Sequence, residues 1–251
     1  MKIVETKNIN KIAEITILFW VMKIVATTLG ETLGDFISMT LNLGYLTGIA
    51  ITVVFFTVVL YNQLKTKEYN PLPFWLVIIA TTTLGTEISD FIDRSLHLGY
   101  TIGSLVLLSG LLFTLYRWYS KYKNLNVNPI IENKKEIYFW IAVLFSNSLG
   151  TAFGDYLGDV LGLSYIQGAL ITASIIIAVV LIHYYTKINE VFLFWLAFVF
   201  TRPFGATFGD FLTKPLAKGG LDLGTLQASV VSIVIMSLLI YYSQKKNSAQ
   251  I

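Results

Sequence analysis

The sequence predicts an all-α polytopic membrane protein whose eight transmembrane helices form four parallel two-helix repeats. Three observations carry this expectation. The 251-residue chain is 55% hydrophobic and only 13% charged, about half the charge of an ordinary soluble domain, with a mean hydropathy of +0.68. Its apolar residues fall into eight runs close to the ~20 residues a helix needs to cross a bilayer, without the period-two alternation of a barrel. Finally, the sequence repeats itself four times.

The repeats align on a tryptophan: WVMKIVATTLGETLGD from Trp20, WLVIIATTTLGTEISD from Trp75, WIAVLFSNSLGTAFGD from Trp140 and WLAFVFTRPFGATFGD from Trp195. A glycine follows ten residues later in each copy (Gly30, Gly85, Gly150, Gly205) and an aspartate fifteen later (Asp35, Asp90, Asp155, Asp210). A small residue nine further on, Gly44, Gly99 or Ser164, opens the next apolar run; the fourth copy inserts five residues before reaching Gly224. Repeats 1 and 2 share TTLG and LGY and repeats 3 and 4 share FGD, as expected of a duplicated duplication.

The expected spans are roughly 15–36, 43–61, 72–93, 99–119, 137–158, 163–185, 191–213 and 223–242. The first is too long for a signal peptide and lacks a small-residue cleavage site, and Pro71 and Pro73 open the third, where proline is tolerated. Residues 1–119 hold repeats 1 and 2, 120–136 form a polar linker, and 137–251 hold repeats 3 and 4. Thirteen basic residues (Lys2, Lys7, Lys11, Lys65, Lys67, Arg117, Lys121, Lys123, Lys134, Lys135, Lys187, Lys245, Lys246) lie on the side shared by the termini and the linker, against three (Arg94, Lys214, Lys218) on the other. The positive-inside rule then puts both termini and the linker in the cytoplasm of a cell-membrane protein, with the tryptophans near the inner interface. The net charge of +3 reflects this topology rather than a nucleic-acid partner.

Chemistry concentrates on the first helix of each repeat. Positions 3, 7, 11, 15 and 19 after the tryptophan share one face. They give Lys23, Thr27, Glu31 and Asp35 in repeat 1, and Thr82, Thr86, Asp90 and Arg94 in repeat 2, with Glu87 alongside. Repeat 3 gives Asn147, Thr151, Asp155 and Asp159, and repeat 4 gives Arg202, Asp210 and Lys214. Lipid cannot solvate such a stripe, so it must face the bundle interior. Parallel repeats bring Glu31, Asp35, Glu87, Asp90, Asp155 and Asp210 to similar depth, where a hard divalent cation or protons must occupy them. With no cysteine and only His97 and His183, oxygen ligation favours Mn²⁺, Mg²⁺ or Ca²⁺; Thr27, Thr82, Thr151 and Asn147 add neutral oxygens. Two structural readings stand beside this one: the aspartates as helix punctuation, and Arg202 with Asp210 as an ion pair. Lys23 is expected to snorkel inward.

At its four Trp-x9-Gly-x4-Asp copies, from about Trp20 to Tyr242, the chain resembles a family of bacterial membrane proteins with four tandem two-helix repeats, catalogued as a repeat of unknown function. Some members are similar to manganese exporters, which implies Mn²⁺ efflux and maps the family's acidic residues onto Glu31, Asp35, Glu87, Asp90, Asp155 and Asp210. Ala152 and Thr207 replace Glu87 in repeats 3 and 4, and Arg202 intrudes in repeat 4, against a fourfold-symmetric site. The expectation is therefore a non-enzymatic exporter working by alternating access. Glu31 and Glu87 would be its deeper ligands, the metal would bind nearer the first half, and no bound cofactor is needed. Its partners are the bilayer, the transported ion and, as an option, a second copy in a homodimer. An acidic cation channel and a lipid-acting intramembrane enzyme are the alternatives.

Overall fold

The computed structural model describes residues 10–249, and among them eight helices are long and apolar enough to cross a membrane. They are α1 (Ile17–Asp35), α2 (Tyr45–Lys65), α3 (Pro71–Asp90), α4 (Gly99–Tyr122), α5 (Asn133–Asp155), α6 (Tyr165–Tyr185), α7 (Glu190–Thr213) and α8 (Thr225–Ala249). Polar residues start them where orphan backbone N–H groups need acceptors: Thr16 caps α1, Asn70 caps α3 ahead of Pro71, Asn189 caps α7, and Ser164 forms a reciprocal box with Gln167 on α6. The expected 120–136 linker gives its ends to α4 and α5, and Lys2 and Lys7 lie outside the described residues. After the motif aspartate, α1, α3 and α5 each run into a five-residue π-turn: Phe36–Thr40, Phe91–Ser95 and Tyr156–Val160. In repeat 4, α7 continues as α-helix to Thr213, and the inserted residues form a short 3-10 turn, Leu216–Lys218.

The first helices of the repeats, α1, α3, α5 and α7, make a closed ring in which each packs on the next and α7 returns to α1. The second helices form an outer layer displaced by one repeat: α2 lies on α3, α4 on α5, α6 on α7 and α8 on α1. Each repeat thus covers its successor, and both halves of the chain share one ring. The outer helices turn Val54, Phe113, Leu170 and Leu238 outward, as lipid requires of a membrane-spanning surface.

Glycine sets the spacing of the ring. A methyl group added to Gly30 would collide with Thr82, one on Gly85 with Asn147 and Ser148, one on Gly150 with Arg202 and Pro203, and one on Gly205 with Thr27. In every repeat, then, the residue seven beyond the tryptophan sits on the glycine of the preceding inner helix. This is the close approach that small residues permit between membrane helices. One turn on, Thr86 sits on Gly34, Ala206 on Gly154 and Glu31 on Gly209.

Aromatic rings close the end of the bundle that carries the termini. Phenylalanine precedes tryptophan in all four copies, and each phenylalanine meets the next repeat's tryptophan: Phe19–Trp75 at 5.5 Å, Phe74–Trp140 at 5.4 Å, Phe139–Trp195 at 6.3 Å and Phe194–Trp20 at 5.9 Å between ring centroids. Trp75, Trp140 and Trp195 are buried and Trp20 is half-buried. The tryptophans, expected near the inner interface, thus pack as a collar at the end that carries the termini, each pair adding about 0.5–1.5 kcal/mol beyond its buried area.

Because Gly30 has no room for a methyl group and Gly158 meets only Leu163 O at 3.9 Å, Gly30→Ala should cost about 1–3 kcal/mol. Gly158→Ala should leave thermal unfolding in detergent nearly unchanged. Equal melting shifts for the two variants would contradict this account of the ring.

Candidate functional site

The polar stripes of the four inner helices meet inside the ring as a column of charges in tiers. At the hairpin end, farthest from the termini, Lys214 Nζ donates to Asp35 Oδ2 at 2.6 Å and pairs with Asp210 Oδ1 at 3.1 Å. Across the same tier Arg94 Nη2 donates to Asp155 Oδ2 at 3.1 Å, and its Nε lies 3.7 Å from Asp90 Oδ1. Arg94 also donates to the hydroxyls of Tyr45 and Tyr100, and Tyr100 in turn donates to Asp159 Oδ2 at 2.6 Å. Each basic residue follows its own aspartate by one turn and reaches the aspartate of the next repeat.

One tier deeper, Arg202 Nη2 donates to Glu31 Oε2 at 2.8 Å and to the Thr86 hydroxyl, while Nη1 donates to Thr27 O at 3.3 Å. Thr86 belongs to α3, opposite α7 in the ring, so the guanidinium spans the centre of the bundle. Below it Lys23 Nζ donates to Asn147 Oδ1 at 2.9 Å, crossing from α1 to the opposite helix α5, and lies 4.1 Å from the centroid of the Phe198 ring. Asn147 Nδ2 donates to Thr81 Oγ1, which fixes the amide with its oxygen toward the lysine. The aromatic collar comes next. Beyond it, buried Lys11 pairs with buried Glu136, which also accepts from Gln63 Nε2 at 2.8 Å and Trp140 Nε1 at 3.2 Å.

Glu31, Asp35 and Asp210 are buried and each offers one oxygen within 4.8 Å of the others. This cluster lies where repeat 4 closes on repeat 1, and it combines two predicted ligands of the first half with one of the second. The remaining predicted carboxylates stand apart from it. Asp90 and Asp155 share Arg94, and Glu87 is fully buried against Gly48 of α2, neither of its oxygens having a hydrogen-bond partner among the described residues. The six acids thus do not converge as one unpaired group: three basic side chains pair with five of them, Arg94 and Lys214 each being shared by two.

Other expectations change likewise. Arg202 pairs with Glu31 on the adjacent helix α1 rather than with Asp210 two turns along its own helix. Lys23 does not snorkel; it is wholly buried in the column. The motif aspartates at the π-turns make no side-chain capping bonds. The neutral oxygens expected to help hold a metal serve the helices: Thr27 Oγ1 donates to Ile24 O, Thr82 Oγ1 to Ala26 O, and Thr151 Oγ1 to Asn147 O. Sequence reasoning missed the Lys11–Glu136 pair because both residues fall in polar flanks. It also missed the bridging role of Arg94 and Lys214, although a basic residue at position 19 of alternate repeats was visible.

Fold and site together define a polytopic membrane protein of four pseudo-equivalent repeats around a buried, ion-paired axis. The family model described as Repeat of Unknown Function (DUF347) matches residues 18–69, 73–124, 138–189 and 193–247, and the chain belongs to that family. No curated protein and no solved structure matches the chain.

Removing one partner of a buried ion pair strands the other. Arg202→Met should therefore cost about 3–5 kcal/mol, and adding Glu31→Gln should restore most of it. Thermal unfolding of the two variants checks this, and additive losses would contradict the pairing.

Proposed function

We propose that this protein exports a hard divalent cation, with Mn²⁺ the foremost candidate, across the bacterial inner membrane. The observation that carries the reading is the buried oxygen cluster of Glu31, Asp35 and Asp210. Three carboxylates within reach of one another, in a chain without cysteine, form a donor set suited to Mn²⁺, Mg²⁺ or Ca²⁺. Arg202 and Lys214 hold these carboxylates when no metal does, so ion binding and internal ion pairing exclude each other. Such competition gives two discrete arrangements of the column, the element that alternating access requires. Glu87 is left outside the ligand set.

Cavities at both ends of the column support transport over a continuous pore. At the hairpin end a space of about 40 Å³ is lined by Arg94, Asp155, Tyr165, Asp210 and Lys214. At the termini end one of about 190 Å³ reaches Phe19, Met22 and Trp75 of the collar. Between them lie the ion pairs and the aromatic collar, which weigh against an open acidic channel. The charge asymmetry of the loops supports a cytoplasmic collar end.

Cells expressing the parent should hold less manganese than cells without it, measured element by element. Glu31→Gln and Asp35→Asn should abolish the difference, whereas Asp155→Asn, on the Arg94 side, should retain much of it. A folded Glu31→Gln variant that lowers cellular manganese like the parent would falsify the ligand assignment. Topology has its own check: a reporter fused at residue 128 should report the cytoplasm, and activity outside the cell would reverse the orientation.

A further inference from the structure

Lys23 is the one member of the column that the ion pairs do not account for. It is 0% exposed, and no carboxylate lies within ion-pairing distance of it among the described residues. The other repeats carry Ile78, Val143 and Phe198 at its position, so the ring does not need a lysine there. What it has instead is an oriented amide oxygen at 2.9 Å and an aromatic face at 4.1 Å. Both suit a group that changes its charge. The Asn147 oxygen accepts from an ammonium or from an amine, and the Phe198 ring favours the ammonium without neutralising it.

The surroundings supply a reason for the charge to change. On α7 the charged neighbour is the guanidinium of Arg202. α5 presents Asn147, and α3 presents Thr81 behind that amide. α8, on the other side of α1, has no charged residue between Thr225 and Gln244. On α1 itself Glu31 lies two turns away, about 12 Å along the axis, and Arg202 occupies it. Arg202 and Lys214 both hold carboxylates of the cluster, so Lys23 is the buried basic side chain below it without a carboxylate partner among the described residues, and an ammonium can give up its charge where a guanidinium cannot.

We propose that Lys23 is the proton-exchange site of the transport cycle. Resting on the cation reading above, this adds what is exchanged for the ion. With Glu31 held by Arg202, and Asp35 and Asp210 by Lys214, Lys23 keeps its proton. When a divalent cation takes the three carboxylates, Arg202 and Lys214 both lose their partners; Lys214 is part exposed and can meet water, whereas the charge on Arg202 stays in the buried column. The Lys23 ammonium then releases its proton to bulk water, leaving a neutral amine that still donates to Asn147. Loss of the metal restores the Arg202–Glu31 pair and lets the amine take a proton back. Metal and proton thereby occupy the column alternately, as antiport requires.

The test counts protons released as Mn²⁺ binds. Titration of Mn²⁺ into the purified full-length protein, followed by calorimetry in two buffers of different ionisation enthalpy, yields the stoichiometry. The parent should release about one proton more per Mn²⁺ than Lys23→Met, because binding expels protons from groups it makes unfavourable. Lys23→Arg keeps a fixed charge; it should release fewer protons than the parent and bind Mn²⁺ at least about tenfold more weakly. Either folded variant suffices for the comparison. Equal proton counts and affinities in parent and variants, with Mn²⁺ bound, would overturn the role of Lys23 and leave the export reading standing. Absence of Mn²⁺ binding by the parent would overturn the export reading, and this inference with it.

Discussion

Charge inside a membrane helix bundle has no water to meet it, so every ionised group there must find an opposite charge or change its protonation. The close-packed ring of inner helices makes that constraint severe. Glycine ten residues after each tryptophan draws the helices together, and the same contact turns the polar stripes to the centre. Once the ring forms, Glu31, Asp35, Asp90, Asp155 and Asp210 lie within reach of neighbouring repeats, and Arg94, Arg202 and Lys214 answer them. The ion pairs are thus a consequence of how tightly the backbone packs. In a looser bundle each stripe could be hydrated separately.

Two symmetries coexist in the molecule. The backbone frame follows a fourfold rule: glycine against the next helix, phenylalanine against the next tryptophan, outer helix over the next repeat. The charges follow a twofold rule, because a basic residue stands one turn after the aspartate in repeats 2 and 4 but not in repeats 1 and 3. Arg94 therefore clasps repeats 2 and 3, and Lys214 clasps repeats 4 and 1.

Much of this was legible in the sequence. Helix number, parallel repeats, inward-facing stripes and the departures of repeat 4 all follow from fixed spacing, since spacing along a helix determines which residues share a face. Partner identity did not follow, because an ion pair between repeats depends on the direction in which the ring is wound. Glu31 could have met Arg202 or a free metal, and nothing along α1 alone distinguishes them. The contacts of the tryptophans did not follow for a related reason. Amphipathic rings near a helix end suit an interface, and only the ring's closure turns them inward onto the neighbouring phenylalanines. Lys11 likewise counts as a loop charge by position, although the start of α5 buries it against Glu136.

Departures from the fourfold frame bear on the proposed site. A small or neutral side chain satisfies the frame at each position, as Thr82 and Ala206 do. Lys23, Arg202 and Glu31 exceed that need, and they stand consecutively down one seam, between α1 and α7, with Asp35, Asp210 and Lys214 above them. The opposite seam, between α3 and α5, carries the Arg94 clasp at the same outer level but has Val143, Thr82 and Thr151 at the positions that correspond to Lys23, Arg202 and Glu31. A purely structural axis would have no reason to concentrate mobile charge in one quarter of a ring whose backbone treats all quarters alike. Buried ion pairs contribute little net stability over apolar packing, so their concentration at one seam argues for a working site at the closure of repeat 4 on repeat 1, with the other three contacts serving as its scaffold.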